Sequence, residues 1–210
     1  MGYVVTVPPA VEPISRQDAK THLRLETTFT DDDLLVDALI TAARQYAEQE
    51  TNRSFITQTW KYTMDALPGS LGYASPGYGQ EFSIPGNAIL LVKGPHQSIS
   101  SITYLDTGGV TQTMPSTDYI ADLSGPAARV TPVFGKIWPI AQFQIASAAV
   151  TFVAGYGGAA AVPNGIKQWM LLRIGAMYEN REEIVVGRGI TANPLSIAEG
   201  LLDPFRVRVA

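Results

Sequence analysis

The feature that most restricts what this chain can fold into is the uneven placement of its charges. Residues 57–160 carry nine charged side chains (Lys61, Asp65, Glu81, Lys93, Asp106, Asp118, Asp122, Arg129 and Lys136), and the two flanks carry the other 25. The middle is rich in Thr, Ser, Val, Ile, Tyr and Gly, the composition of strands and turns, whereas the flanks read as helices. Such a layout predicts an α+β fold: a helical bundle made from N- and C-terminal helices, with an inserted antiparallel β-sandwich or small barrel. The expected divisions are residues 1–56 for the N-terminal helices and 57–160 for the β insertion. Residues 161–203 would complete the helical domain, and 204–210 would form an extended tail.

In the N-terminal flank, Ser15 followed by Asp18 has the spacing of a capping box and starts a short helix to about Leu25. A second helix follows, with Thr30 as its cap and Asp31, Asp32 and Asp33 in a first turn where the helix dipole favours carboxylates. Leu34, Leu35, Ala38, Leu39, Ala42 and Tyr46 recur at helical spacing and form its expected apolar face, opposite Asp37, Arg44, Gln45 and Glu48. In the C-terminal flank Pro163 suits a first turn, and Ile166, Trp169, Met170, Ile174 and Met177 mark one face through Tyr178. A glycine loop at residues 185–193 and a short helix over 194–202, ended by Pro204, come next. The residues from Phe205 to Ala210 then alternate Arg206 and Arg208 with Val207 and Val209, as a strand would.

Seven short strands are expected in the middle, over residues 56–64, 88–92, 99–105, 110–114, 119–123, 128–133 and 148–154. Asp106-Thr107-Gly108-Gly109 suits a hairpin turn, because glycine supplies the positive φ that tight hairpins need. The Gly-, Ser-, Pro- and Tyr-rich segment from Pro68 to Pro85 reads as a long exposed loop.

Composition excludes several function classes. The absence of cysteine removes disulfide scaffolds, thiolate zinc sites and cysteine nucleophiles. A net charge of −4 disfavours coating of nucleic acid. No secretory leader and no apolar run long enough to span a bilayer stand out, so a soluble protein is expected.

The individual motifs favour structural readings. Gly155-Tyr156-Gly157-Gly158-Ala159-Ala160 sits between an apolar strand and a helix, but no second parallel strand follows, so a glycine turn is expected in place of a dinucleotide site. The three aspartates lack the Gly and Glu of a calcium loop. His22 and His96 read as surface or loop residues, and no Gly-x-Ser-x-Gly elbow is present. The polar run from Tyr178 to Glu183 suits a solvated or subunit-facing helix end. Lys136, Trp138 and Tyr156 read as packing and loop residues, not as a base-stacking platform. No catalytic, cofactor or metal residue is expected.

Order and spacing carry more information than any single motif. The opening Pro8-Pro9 through Pro13-Ile14-Ser15 leads to Ala19-Lys20-x-His22-Leu23-Arg24, and Ile56-Thr57-Gln58-Thr59-Trp60 and Gly135-Lys136-Ile137-Trp138-Pro139 follow. Phe152-Val153-Ala154-Gly155-Tyr156-Gly157 then runs into Val162-Pro163-x-x-Ile166-Lys167-Gln168. Tyr178-Glu179-Asn180-Arg181-Glu182 and Leu201-Leu202-x-Pro204-Phe205-Arg206 close the series. Across nearly its whole length the chain thus resembles the head-to-tail connector, or adaptor, family of long-tailed bacteriophages and related gene-transfer particles. The Pro68 to Pro85 loop is longer than that family suggests.

The resemblance implies a structural virion protein without enzymatic activity or cofactor. It implies a ring, with a dodecamer expected, seated beneath the portal protein in the neck between head and tail. A stopper or tail-completion protein lies beyond it, and DNA passes through without sequence-specific binding. Assembly would take place in host cytoplasm. Within that frame the charge-poor β region is expected to meet neighbouring subunits. The tail residues Phe205, Arg206, Val207, Arg208 and Val209 are expected to dock on the portal or a neighbour by adding a strand. Two other classes compete. One is a glycan- or protein-binding sandwich using Trp60, Tyr73 and Tyr78; the other is a hydrolase whose triad assembles in space.

Overall fold

A computed structural model of the protein describes residues 2–69, 87–180 and 200–207. The fold is α+β, as the charge pattern predicts, and the described residues include three α-helices and two antiparallel sheets. The chain forms two compact units: Met1–Pro9, Thr57–Gly155 and Val207–Ala210 in one, Ala10–Ile56 and Tyr156–Arg206 in the other. The first residues therefore differ from the sequence expectation. They contribute a strand to the β unit, because Tyr3-Val4-Val5-Thr6-Val7 is an aromatic and β-branched run that finds a partner before Pro8 and Pro9 stop it.

In the β unit the strands are β1 (Gly2–Val7), β2 (Gln58–Met64), β3 (Ile89–Leu91), β4 (His96–Leu105), β5 (Thr111–Thr113), β6 (Tyr119–Asp122), β7 (Ala128–Pro132) and β8 (Ala148–Ala154). Five form a sheet in the order β1-β2-β8-β4-β5, and three form a second in the order β3-β7-β6. Side chains from both sheets, among them Tyr62, Ile102, Val150 and Phe152 from one and Ile89, Leu91 and Val130 from the other, share one core. The arrangement is a sandwich, not a barrel. The central strand β8 buries nearly every residue, which is why its sequence is almost continuously apolar, while β2 alternates. Burying Phe152 alone contributes about 1.5–3 kcal/mol.

The helical unit contains α1 (Arg16–His22), α2 (Asp33–Thr51) and α3 (Asn164–Glu179). Ser15 and Asp18 form the expected capping box on α1. The start of α2 differs. Its N-cap is Asp32, not Thr30, and only Asp33 lies in the first turn; the Asp32 carboxylate makes no cap bond and instead accepts the Tyr178 hydroxyl from α3. The covered face of α2 also differs from expectation. Val36, Ile40, Ala43 and Ala47 are buried, whereas Leu34, Ala38, Ala42 and Tyr46 are exposed. Both sets repeat every three or four residues, so helical spacing alone does not say which one the core takes. Helix α3 buries Ile166, Trp169, Met170 and Ile174 with Met177 packed alongside, as expected, but Pro163 occupies its N-cap and not its first turn.

The chain leaves and re-enters the helical unit at adjacent points. The Tyr156 amide donates to the Phe55 carbonyl at 3.0 Å. Within the β unit Gln58 pairs directly with Ala154.

Candidate interaction surfaces

Several of the residues singled out for chemistry are held by internal bonds. Lys20 is buried and ion-paired with Asp33, and Arg16 pairs with Asp33 and Asp37, so the acidic cluster ties α1 to α2. The Lys20 hydrogen bond, reinforced by the charge of Arg16, holds the Asp33 carboxyl below its usual range. His22 is exposed, its ring close to Gly175 of α3. His96 is buried, contrary to expectation, with Nε2 3.2 Å from the Val92 carbonyl and its ring against Phe152. The two histidines belong to different units. Among the described residues no three acidic or histidine side chains converge in a geometry suited to a metal.

At the glycine turn after β8, Gly155 and Gly157 adopt φ of +127° and +124°, and a 3-10 turn over Ala159–Ala161 leads into α3. This backbone leads out of β8, and among the described residues both sheets are antiparallel, so no parallel unit of a dinucleotide fold is formed there. Tyr156 is part-buried in the helical unit, and burial raises its pKa. Lys136 pairs with Asp118, and Trp138 points inward. Trp60 meets Tyr3 edge-on and carries the Lys93 ammonium over its face. Tyr73, Tyr78 and Arg181 to Glu183 lie outside the described residues, as do the Pro68 to Pro85 loop beyond Gly69 and the segment 185–199.

The expected tail is folded at its root. Asp203–Phe205 form a 3-10 turn with Pro204 inside it, so a strand does not begin at Phe205. The Phe205 ring lies against Gly165 and the helical core, and its carbonyl accepts from Arg53 Nε. The Arg206 guanidinium pairs with Asp203 and Glu50. Among the described residues only Val207 extends beyond these ties; Arg208 and Val209 lie outside them.

The most conspicuous surface was not legible as one in the sequence. Residues 133–147, which join β7 to β8, contain neither helix nor strand, yet Phe134, Ile137, Ile140 and Ile145 are between 63 % and 102 % exposed. The segment is nevertheless fixed in place. Trp138 is only 4 % exposed, and its Nε1 donates to the Asn87 carbonyl at 2.6 Å. The Gln142 amide donates to Leu105, the Ala146 amide to the Asp65 carboxylate at 2.9 Å, and the Ser147 hydroxyl to the Asp65 carbonyl at 2.7 Å. A held loop that presents large apolar side chains to water has the character of an interaction surface. A second such surface is the edge strand β1, whose Val4, Val5 and Val7 are exposed.

Residues 14–93 match the model of the Phage gp6-like head-tail connector protein family. The chain's likeness is to the head-tail connectors. The match covers α1, α2, β2 and β3, less than half of the chain. Solved structures extend the similarity of fold to the whole length. The chain superposes on a protein of the virion of a native gene transfer agent particle with a TM-score of 0.73 and 18% identity, covering 100% of this chain and 98% of that one. The neck of an empty gene transfer agent particle, computed with C6 symmetry, gives 0.69 and 20% identity over 100% and 98%. The neck of the native particle, computed with C12 symmetry, gives 0.62 and 18% over 100% and 96%. No curated protein matches the sequence. Among the described residues no helix is long and apolar enough to cross a membrane.

Proposed function

We propose that this protein is a structural head-to-tail adaptor of a virion neck, one subunit of a ring seated beneath a portal protein. The observation that carries the reading is the agreement of fold over the entire chain with proteins of gene transfer agent necks, joined to the connector-family match over residues 14–93. The C6 and C12 symmetries with which those necks were computed support a ring, and a dodecamer is the expected count. The role is non-enzymatic: the ring lines a channel for DNA and hands it to a stopper or tail-completion protein. A net charge of −4 suits a conduit that does not grip the duplex.

Portal docking is assigned to the C-terminal segment. Phe205 and Arg206 anchor its root to the helical unit, and Val207, Arg208 and Val209 are the residues that reach the portal or a neighbour. Electron microscopy of the purified protein, alone and with its portal protein, tests the reading. Rings that form on the portal support it; a protein that stays monomeric in both samples overturns it.

A further inference from the structure

We propose that the subunits of this ring meet through the β7–β8 loop of one copy and the β1 edge of the next; the inference rests on the ring reading above. A cyclic assembly needs a heterologous contact, in which two different patches of one chain face each other on adjacent copies. The β unit offers two such patches. The loop is tied by Gln142 to Leu105 at the end of β4 and by Ala146 and Ser147 to Asp65 just after β2, whereas the second patch is β1, an edge of the sheet order β1-β2-β8-β4-β5; the two patches share no residue.

The two edges of that sheet are treated differently. β5 is three residues long and polar, Thr-Gln-Thr, a short edge that discourages further pairing. β1 is six residues long, carries no charge and no proline, and exposes Val4, Val5 and Val7. A bare apolar edge is an association hazard unless something covers it. Among the described residues only β2 pairs with β1.

Area and charge agree with this occupant. With Phe134 fully exposed and Ile137, Ile140 and Ile145 largely so, the loop presents on the order of 500 Å² of apolar side chain, over half of the roughly 800 Å² that one partner gives to a standard interface. The loop's one charge, Lys136, is paired with Asp118 of its own chain, so closing the contact strands no ion. Because the loop is already held by Trp138 and Asp65, little ordering cost remains for assembly.

The chain lacks cysteine, which permits a direct test. Full-length Val4→Cys and Ile137→Cys proteins are mixed, assembled alone and on the portal protein, and treated with a short bismaleimide. Covalent dimers containing one chain of each kind are expected, with none from either variant alone. Rings seen by electron microscopy without mixed dimers overturn the surface assignment and leave the ring reading standing. Absence of rings in every sample overturns both. In parallel, Ile137→Lys with Ile145→Lys is expected to raise the concentration needed for ring formation at least tenfold at an unchanged unfolding midpoint. Unaltered assembly of that variant also overturns the assignment.

Discussion

Arg44 shows how much of the helical unit rests on single charged groups. The residue is 7 % exposed, and it donates to Glu12 at 2.7 Å and to Glu48 at 2.8 Å. Burial pulls its pKa down, but the hydrogen bonds and charges of the two glutamates more than offset that and raise it. Glu48 also accepts the Phe55 amide at 2.7 Å, so the pair joins α2 to the chain that follows it. Arg44→Met leaves two carboxylates without their cation and is expected to cost about 3–5 kcal/mol in urea unfolding. Asp33 behaves differently because its folded pKa is depressed. The stability it contributes is present above the unfolded carboxylate value near pH 4 and is lost as pH falls through the lower folded value. Below about pH 4 the native protein should therefore lose stability more steeply than an Asp33→Asn variant, as read by thermal midpoints across an acid series. Neither role was visible in the sequence. Arg44 sits among polar residues that suit a solvated face, and Asp33 looked like a plain dipole partner. Which charges end up covered depends on Glu12 and Lys20, which lie on other segments.

Elements were far more legible than their faces. Composition and turn signals located β2 to β8 within a few residues, because most of these strands are half-covered or fully covered by one core, and the exposed β5 is marked by the glycine turn before it. β1 was not legible because Pro8 and Pro9 cut its apolar run short and its partner β2 lies about fifty residues further on. On α2 the apolar residues form two stripes, and the choice between Leu34 and Val36 is made by α1 and α3. The β7–β8 loop has no period at all, so its exposure came from the structure alone. Trp138 is its anchor, and Trp138→Ala is expected to cost about 3–5 kcal/mol by leaving a cavity and freeing the Asn87 carbonyl, measured by chemical denaturation. Gly94 is a second constrained point: a Cβ there would lie 2.9 Å from His96 Nδ1 and 3.3 Å from the Pro126 carbonyl. Gly94→Ala should lower the unfolding midpoint by several degrees, roughly 1–3 kcal/mol of overpacking.

At the scale of the whole molecule the tail and the insertion matter most. A chain ending at Val207 should unfold like the full-length protein and lose pull-down by the portal protein. One ending at Asp203 should in addition lose about 2–4 kcal/mol, since the Phe205 ring and the carbonyl that accepts from Arg53 go with it. The connector resemblance was readable because the order of segments, not any catalytic residue, identifies it. The ends of the β insertion have a further consequence. Because Tyr156 hydrogen-bonds to Phe55, and Gln58 lies opposite Ala154, the two cut points of this hundred-residue excursion are about as close as neighbouring strands. To the helices the excursion is equivalent to a tight turn. Its size and sequence can then change without moving the ends it returns to the helices, provided that the replacement keeps an edge for β1, the strand that the start of the chain adds to it.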